Sequence, residues 1–63
     1  MKYHIGDMVL FINISENRMP MIGVIIEKSK LFPDTYSIEV CRGTDGIVVF
    51  SAHEKDVTCR LDW

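Results

Sequence analysis

The side chains able to do chemistry in this 63-residue chain are few and scattered. They are His4 and His53, Cys41 and Cys59, and the carboxylates Asp7, Glu16, Glu27, Asp34, Glu39, Asp45, Glu54, Asp56 and Asp62. His53-Glu54 has the opening dipeptide of a zinc-protease helix, but such a helix grips its metal with a second His four residues on. Position 57 is Val57, so that ligand pair is missing. Ser51 beside His53 offers a hydroxyl and a base, yet nucleophilic catalysis also needs convergent geometry and a third group that orients the base. The cysteines lie far apart without neighbouring Cys or His, which is not zinc-ligand spacing. The carboxylates fall mainly in turns or at polar strand positions, where solvation accounts for them. The glycines form neither a GxGxxG nor a Walker A loop. No catalytic residue, metal ligand or cofactor is expected, and the chain reads as a non-enzyme.

The elements that would carry these residues are short apolar, β-branched runs cut by turn chemistry. Met8–Ile14, Ile22–Ile26, Tyr36–Cys41, Ile47–Phe50 and Val57–Leu61 are the runs. Gly6-Asp7, Asn17/Pro20, Pro33-Asp34 and Gly43-Thr44-Asp45-Gly46 separate them. Five strands without an intervening helix predict an all-β, closed or nearly closed small barrel filled by its own side chains. The first strand is apolar on both parities, so its inward face is undetermined. Gly23 inside the second marks a bulge or bend, and Pro20 suits a strand start or edge. In the third, Tyr36, Ile38 and Val40 alternate with Ser37, Glu39 and Cys41, predicting one buried face. Asp45-Gly46 is tight-hairpin chemistry. Ser51 followed by Glu54 is a capping-box pattern too short for a helix, and predicts a single 3-10 turn before the last strand. In that strand Val57, Cys59 and Leu61 alternate with Thr58, Arg60 and Asp62.

Sixty-three residues make one domain, 1–63. A chain this short buries only about 60% of its unfolded surface. Its 48% hydrophobic content leaves apolar side chains that one small barrel does not hide, which points to self-association or a partner. No run approaches the ~20 apolar residues that span a bilayer, and Gly6-Asp7 interrupts the start before a signal-peptide core can form. A cytoplasmic location is the expectation, with Cys41 and Cys59 as reduced thiols; a cross-strand disulfide in a secreted domain is the rival. The sequon Asn13-Ile14-Ser15 is idle in that setting.

Gly6-Asp7-x-Val9 before the first long strand, Gly23-Val24-Ile25-Ile26 opening the second, Tyr36-Ser37-Ile38-Glu39-Val40 in the third and the short turn Ala52–Asp56 before Val57–Leu61 together resemble the SH3-like small-barrel superfold, in its Tudor- and KOW-like members. The resemblance covers nearly the whole chain and implies a five-stranded SH3-like barrel. Small free-standing barrels of this kind are frequent among bacteriophage and bacterial accessory proteins, which would place the chain in a host cytoplasm or a virion. It also implies binding through aromatics on loops and strand ends, in Tudor-like members as a cage for methylated side chains held by cation–π attraction. Here Phe11 and Tyr36 share parity with core residues, leaving Tyr3, Phe32 and Trp63 outside clear strand patterns.

Two function classes follow. In the first, a non-catalytic module contacts a larger protein or a second copy, with Met19, Met21, Phe32 and Trp63 as the contact residues because flexible methionines suit adaptable surfaces. The bland counterpart is that these residues cap the barrel ends. In the second, a KOW- or Tudor-like module binds nucleic acid weakly, with Lys28, Lys30, Arg42 and Arg60 on phosphates. Seven Lys/Arg against nine Asp/Glu, a net charge of -2, disfavour it. No small-molecule substrate or membrane is implied.

Overall fold

The computed structural model describes residues 2–61. Strands β1 (Met8–Asn13), β2 (Met19–Lys28), β3 (Thr35–Cys41), β4 (Ile47–His53) and β5 (Val57–Arg60) form one antiparallel sheet in the order β4-β3-β2-β1-β5. Single 3-10 turns occupy Ile14–Glu16, Gly43–Asp45 and Glu54–Asp56. The all-β class, the five strands and the turn before the last strand agree with the sequence pattern. β2 and β4 run longer than their apolar cores, β2 from Met19 and β4 to His53. No helix among the described residues is long and apolar enough to cross a membrane.

The sheet is strongly curled. β4 and β5 are its opposite edges. In a flat sheet four strand spacings, about 19 Å, would separate them. The three residues Glu54–Asp56 join them instead, and a 3-10 turn advances only about 8 Å between its flanking strands. The sheet must therefore bend round until its edges approach at that corner.

Of the closed or nearly closed barrel that the sequence predicts, full closure is not found: the sheet stays open between β4 and β5. In this strand order β4 and β5 run in the same direction, so closure would need a parallel ladder. A parallel pair requires a crossover of a dozen or more residues, and this connection has three. β5 instead continues beyond β4 as the next segment of a bent path.

The concave face holds the core. Val9, Phe11, Ile25, Tyr36 and Ile38 are fully buried there, joined by Tyr3, Val40, Ala52 and Val57, with Met21 and Phe50 packed at the rim. Each fully buried large apolar side chain contributes roughly 1.5–3 kcal/mol. Tyr3, which sequence placed outside any pattern, belongs to this core and meets Tyr36 edge-on with ring centroids 6.0 Å apart.

Two bulges bend the ladder. β2 skips Ile26 between its pairings to Ile38 and Ser37, and β5 skips Thr58 between Cys59 and Val57. The second bulge overturns the expected alternation of β5. An extra residue reverses the faces that follow it, so Val57 points inward opposite Phe11 while Cys59 stands opposite Leu10 on the outside. Gly23 is not the bulge. A Cβ there would lie 2.6 Å from Ile38 Cγ2, 2.7 Å from the Glu39 carbonyl oxygen and 2.9 Å from Val40 Cγ2, so the glycine lets β3 close in.

Pro20 pairs with Ile12 on β1, but β3 reaches β2 only from Val24 onward. The side of β2 that would lack a donor thus faces no strand at that point, as proline requires. The β3–β4 connection is wider than a two-residue hairpin: Gly43–Asp45 forms a 3-10 turn closed by Arg42 N–H donating to the Gly46 carbonyl at 2.8 Å. Gly46 there takes φ 76°.

Candidate functional site

Strand parity defines a second, convex face. With Val9 and Phe11 inward, β1 presents Met8, Leu10 and Ile12 outward. Leu10 lies opposite Ile22 on β2 and Cys59 on β5; Met8 lies opposite Val24. Val24 faces Glu39 on β3, which faces Val49 on β4, and Cys41 faces Ile47. Leu61 N–H donates to the Met8 carbonyl at 2.8 Å and extends the Met8 row past β5. One row therefore reads Val49, Glu39, Val24, Met8 and Leu61. The next reads Ile47 and Cys41, then Ile22, Leu10 and Cys59, with Ile12 and Pro20 beyond.

This face is apolar along β1, the Ile22–Val24 part of β2 and the Ile47–Val49 half of β4, whereas β3 crosses it with Thr35, Ser37, Glu39 and Cys41 and β4 ends in Ser51 and His53. An antiparallel sheet with one wet face normally alternates apolar with polar residues, whereas apolar residues on both parities mark a sheet covered on both sides. Ile22 is 55% exposed, Ile47 64% and Val49 52%. An exposed apolar patch of this kind is a candidate interaction surface.

An open groove of about 470 Å³ extends the same face at the β2–β3 end. Glu27, Lys30, Leu31, Phe32, Ser37 and Ser51 line it, with Leu31 and Phe32 as its exposed apolar lip. Ser29 Oγ accepts from the N–H groups of Leu31 and Phe32 at 3.3 and 3.0 Å and so shapes that lip.

The sequence-based contact residues do not form one surface. Phe32 stands at the groove. Met19 and Met21 lie near the opposite end of β2, on the inward parity of the β1–β2 overhang, and Met21 packs against the core while its sulfur accepts from Asn13 Nδ2 at 3.5 Å. Trp63 lies outside the described residues. The outer-face residues were hidden in sequence because alternation cannot flag a strand that is apolar on both parities; that two-sided pattern was itself the signal.

The basic residues also sit apart. Lys28 ends β2 and Lys30 lies in the following loop, so no strand face carries both. Arg42 follows the far end of β3, pairs with Glu16 and places its guanidinium 6.0 Å from the Phe50 ring centre. Arg60 belongs to the opposite edge, beside Val9.

The polar network is structural in form. The Tyr36 hydroxyl accepts from Tyr3 N–H at 3.2 Å and donates to Glu54 Oε1 at 3.0 Å, and that oxygen also accepts from Lys2 N–H at 2.7 Å. Glu54 thereby ties the N-terminal segment to the turn before β5. The Lys2 N–H, and then the Tyr36 hydroxyl, hold the Glu54 carboxyl below its ordinary pKa, while burial pushes the Tyr36 phenol up. The capping-box reading is corrected: Ser51 lies in β4, and His53 Nδ1 caps the turn by accepting from Lys55 N–H at 3.1 Å. Glu54 is released for the N-terminal segment.

Asn13 is buried, its Oδ1 accepting from Ser15 N–H and Oγ at 3.1 and 2.7 Å, so the folded sequon presents no free amide. Cys41 and Cys59 are free and exposed on the outer face. β3 and β5 are separated by β2 and β1, about 14 Å along the sheet, beyond the reach of a disulfide. Among the described residues, no three His, Cys, Asp or Glu side chains cluster closely enough to hold a metal ion. No protein-family model matches the chain, and no curated protein or solved structure matches it.

Proposed function

We propose that this chain is a non-catalytic protein-interaction domain whose convex sheet face seats a larger protein partner. The observation that carries the reading is the apolar patch of Ile22, Val24, Leu10 and Met8 on the paired β2 and β1, bordered by Cys59 on β5 and, across Glu39 and Cys41 of β3, by Ile47 and Val49 on β4. A free-standing domain would gain solubility from polar residues at these positions, and only Glu39 supplies one. The strand order and the 3-10 turn before β5 support an SH3-like architecture left open at one seam. The free thiols on the outer face fit a reducing compartment.

The test is quantitative capture from extracts of the source cell with immobilised wild type, Ile22→Glu and Lys30→Glu. Ile22 is exposed, so the charge leaves the isolated fold intact. A saturable protein retained by wild type and Lys30→Glu but lost from Ile22→Glu is the expected result. Equal retention by all three, or retention abolished by nuclease, overturns it.

A further inference from the structure

The seam left open in the sheet exposes a strand edge with an unusual composition. Arg42 N–H donates to the Gly46 carbonyl at 2.8 Å and Glu54 N–H to the Asp34 carbonyl at 2.7 Å, at the two ends of the β3–β4 ladder. The register between them is unbroken from Thr35–His53 to Cys41–Ile47. Bonded pairs alternate with non-bonded pairs in an antiparallel ladder. Val48, Phe50 and Ala52 therefore turn their main-chain groups to β3. Ile47, Val49, Ser51 and His53 turn their N–H and C=O groups to the free edge.

Natural sheets guard such edges with charges, prolines, bulges or brevity. β5, the other edge, has these defences: it is four residues long, bulged at Thr58, and carries Arg60. β4 has none. Its seven residues, Ile47-Val48-Val49-Phe50-Ser51-Ala52-His53, include no Asp, Glu, Lys, Arg, Pro or Gly. A strand of high β-propensity and no net charge is a template for strand addition.

We propose that β4 pairs with β4 of a second copy, antiparallel about a two-fold axis at Phe50, joining two sheets into one. Self-pairing suits this strand because it meets itself without any like-charge contact. The axis is set by the edge groups. Centred on Phe50, Ile47 bonds His53 and Val49 bonds Ser51 of the other copy, so every outward N–H and C=O finds a partner. Moving the axis by one residue strands one bonding residue at the end of each β4. The two Phe50 rings then occupy a non-bonded pair, with Cα atoms about 4.5 Å apart, where aromatic side chains stabilise each other. Phe50 is only partly covered at the rim of the core, and the second copy completes its cover.

Assembly stops at two, since the guarded β5 edge offers no continuation. A β4 edge about 24 Å long and about 10 Å deep gives roughly 240 Å² of contact section per copy. Counted over both copies, about 480 Å², it falls short of the ~1,000 Å² of a stable complex, so the dimer is reversible, half-formed on the order of 100 µM. This contact uses main-chain edge groups and leaves Leu10, Ile22 and Val24 of the convex face free for the partner proposed above.

The experiment combines light scattering with amide hydrogen exchange from about 20 µM to about 1 mM protein. The mass should rise from 7.3 kDa toward twice that value. Amides of Ile47, Val49, Ser51 and His53 should gain about fourfold protection at the higher concentration, as the monomer fraction falls from about three quarters to about one fifth, while those of Val48, Phe50 and Ala52 are protected throughout. Ser51→Pro removes an edge donor that β3 does not use, and Val49→Lys places a charge beside it; either should keep the protein monomeric. Ile22→Glu should leave the dimer unchanged, so loss of the partner and loss of the dimer are separable. With Cys41 and Cys59 replaced by Ser, oxidation should cross-link Phe50→Cys at least about tenfold faster than Val48→Cys. A monomer at about 1 mM, edge amides that stay unprotected, or a dimer abolished by Ile22→Glu and retained by Val49→Lys would each overturn the proposal.

Discussion

Replacing Gly23 with Ala probes the packing on which the curled sheet depends. The new Cβ would sit 2.6 Å from Ile38 Cγ2, 2.7 Å from the Glu39 carbonyl oxygen and 2.9 Å from Val40 Cγ2. The two methyl groups are anchored in the core, and the oxygen belongs to the β3 backbone, so relief requires β3 to move away from β2. Overpacking of this kind costs about 1–3 kcal/mol, and a backbone obstacle puts the cost at the upper end. Alanine recovers about 0.5–1 kcal/mol because glycine loses more freedom on folding. The net loss is about 1.5–2.5 kcal/mol. Against a total stability of roughly 3–9 kcal/mol for a domain of this length, that is a large share. At about 4–8 °C per kcal/mol the melting temperature should fall by about 6–20 °C. Thermal and urea unfolding followed by circular dichroism measure it. An alanine variant as stable as wild type would show that the close approach of β2 and β3 is not tight, and would refute the reasoning.

Further predictions concern the polar network and the loop. Tyr36→Phe leaves the Tyr3 N–H without its acceptor in a buried position and should cost about 1–3 kcal/mol by urea unfolding. Because the Glu54 carboxyl is held below its ordinary value, its contribution is complete above the unfolded-state pKa and is lost as pH falls through the folded one. The urea midpoint should therefore decline on acidification below the usual carboxylate range, and Glu54→Gln should flatten that part of the profile. Phe32→Ala should change stability by less than about 0.5 kcal/mol because the ring is exposed, whereas Met21→Ala, which removes a side chain packed on the core, should cost about 1–2 kcal/mol. Equal costs at the two positions would mean that Phe32 caps the core after all.

Much of the fold was legible in the residues because the turns punctuate it. Gly6-Asp7, Pro33-Asp34 and the Gly43–Gly46 segment separate the strands, and Tyr36, Ile38 and Val40 declare their buried face by alternation. Three features were not legible. The seam depends on strand directions, which follow from the sheet order and not from any local pattern. The bulge at Thr58 turns Cys59 outward, and no glycine or proline marks it. Glu54 reads as a capping partner, yet bonds Lys2 and Tyr36, a contact across 52 residues in the first case. The proposed interaction surface was half visible. Excess apolar content announced it, but loop methionines and aromatics drew attention from Leu10, Ile22 and Val24, whose outward parity emerges only once Val9, Phe11 and Ile25 are seen inside.

The central claim is that the convex face is covered when the protein works. A photo-reactive amino acid at Ile22, compared with the same probe at Lys30 and at Thr58, tests it in the intact source cell. The account predicts one protein adduct at Ile22 that is absent or much weaker at Lys30 and Thr58. Labelling by water alone at Ile22, or a nucleic-acid adduct concentrated at Lys30, would contradict it.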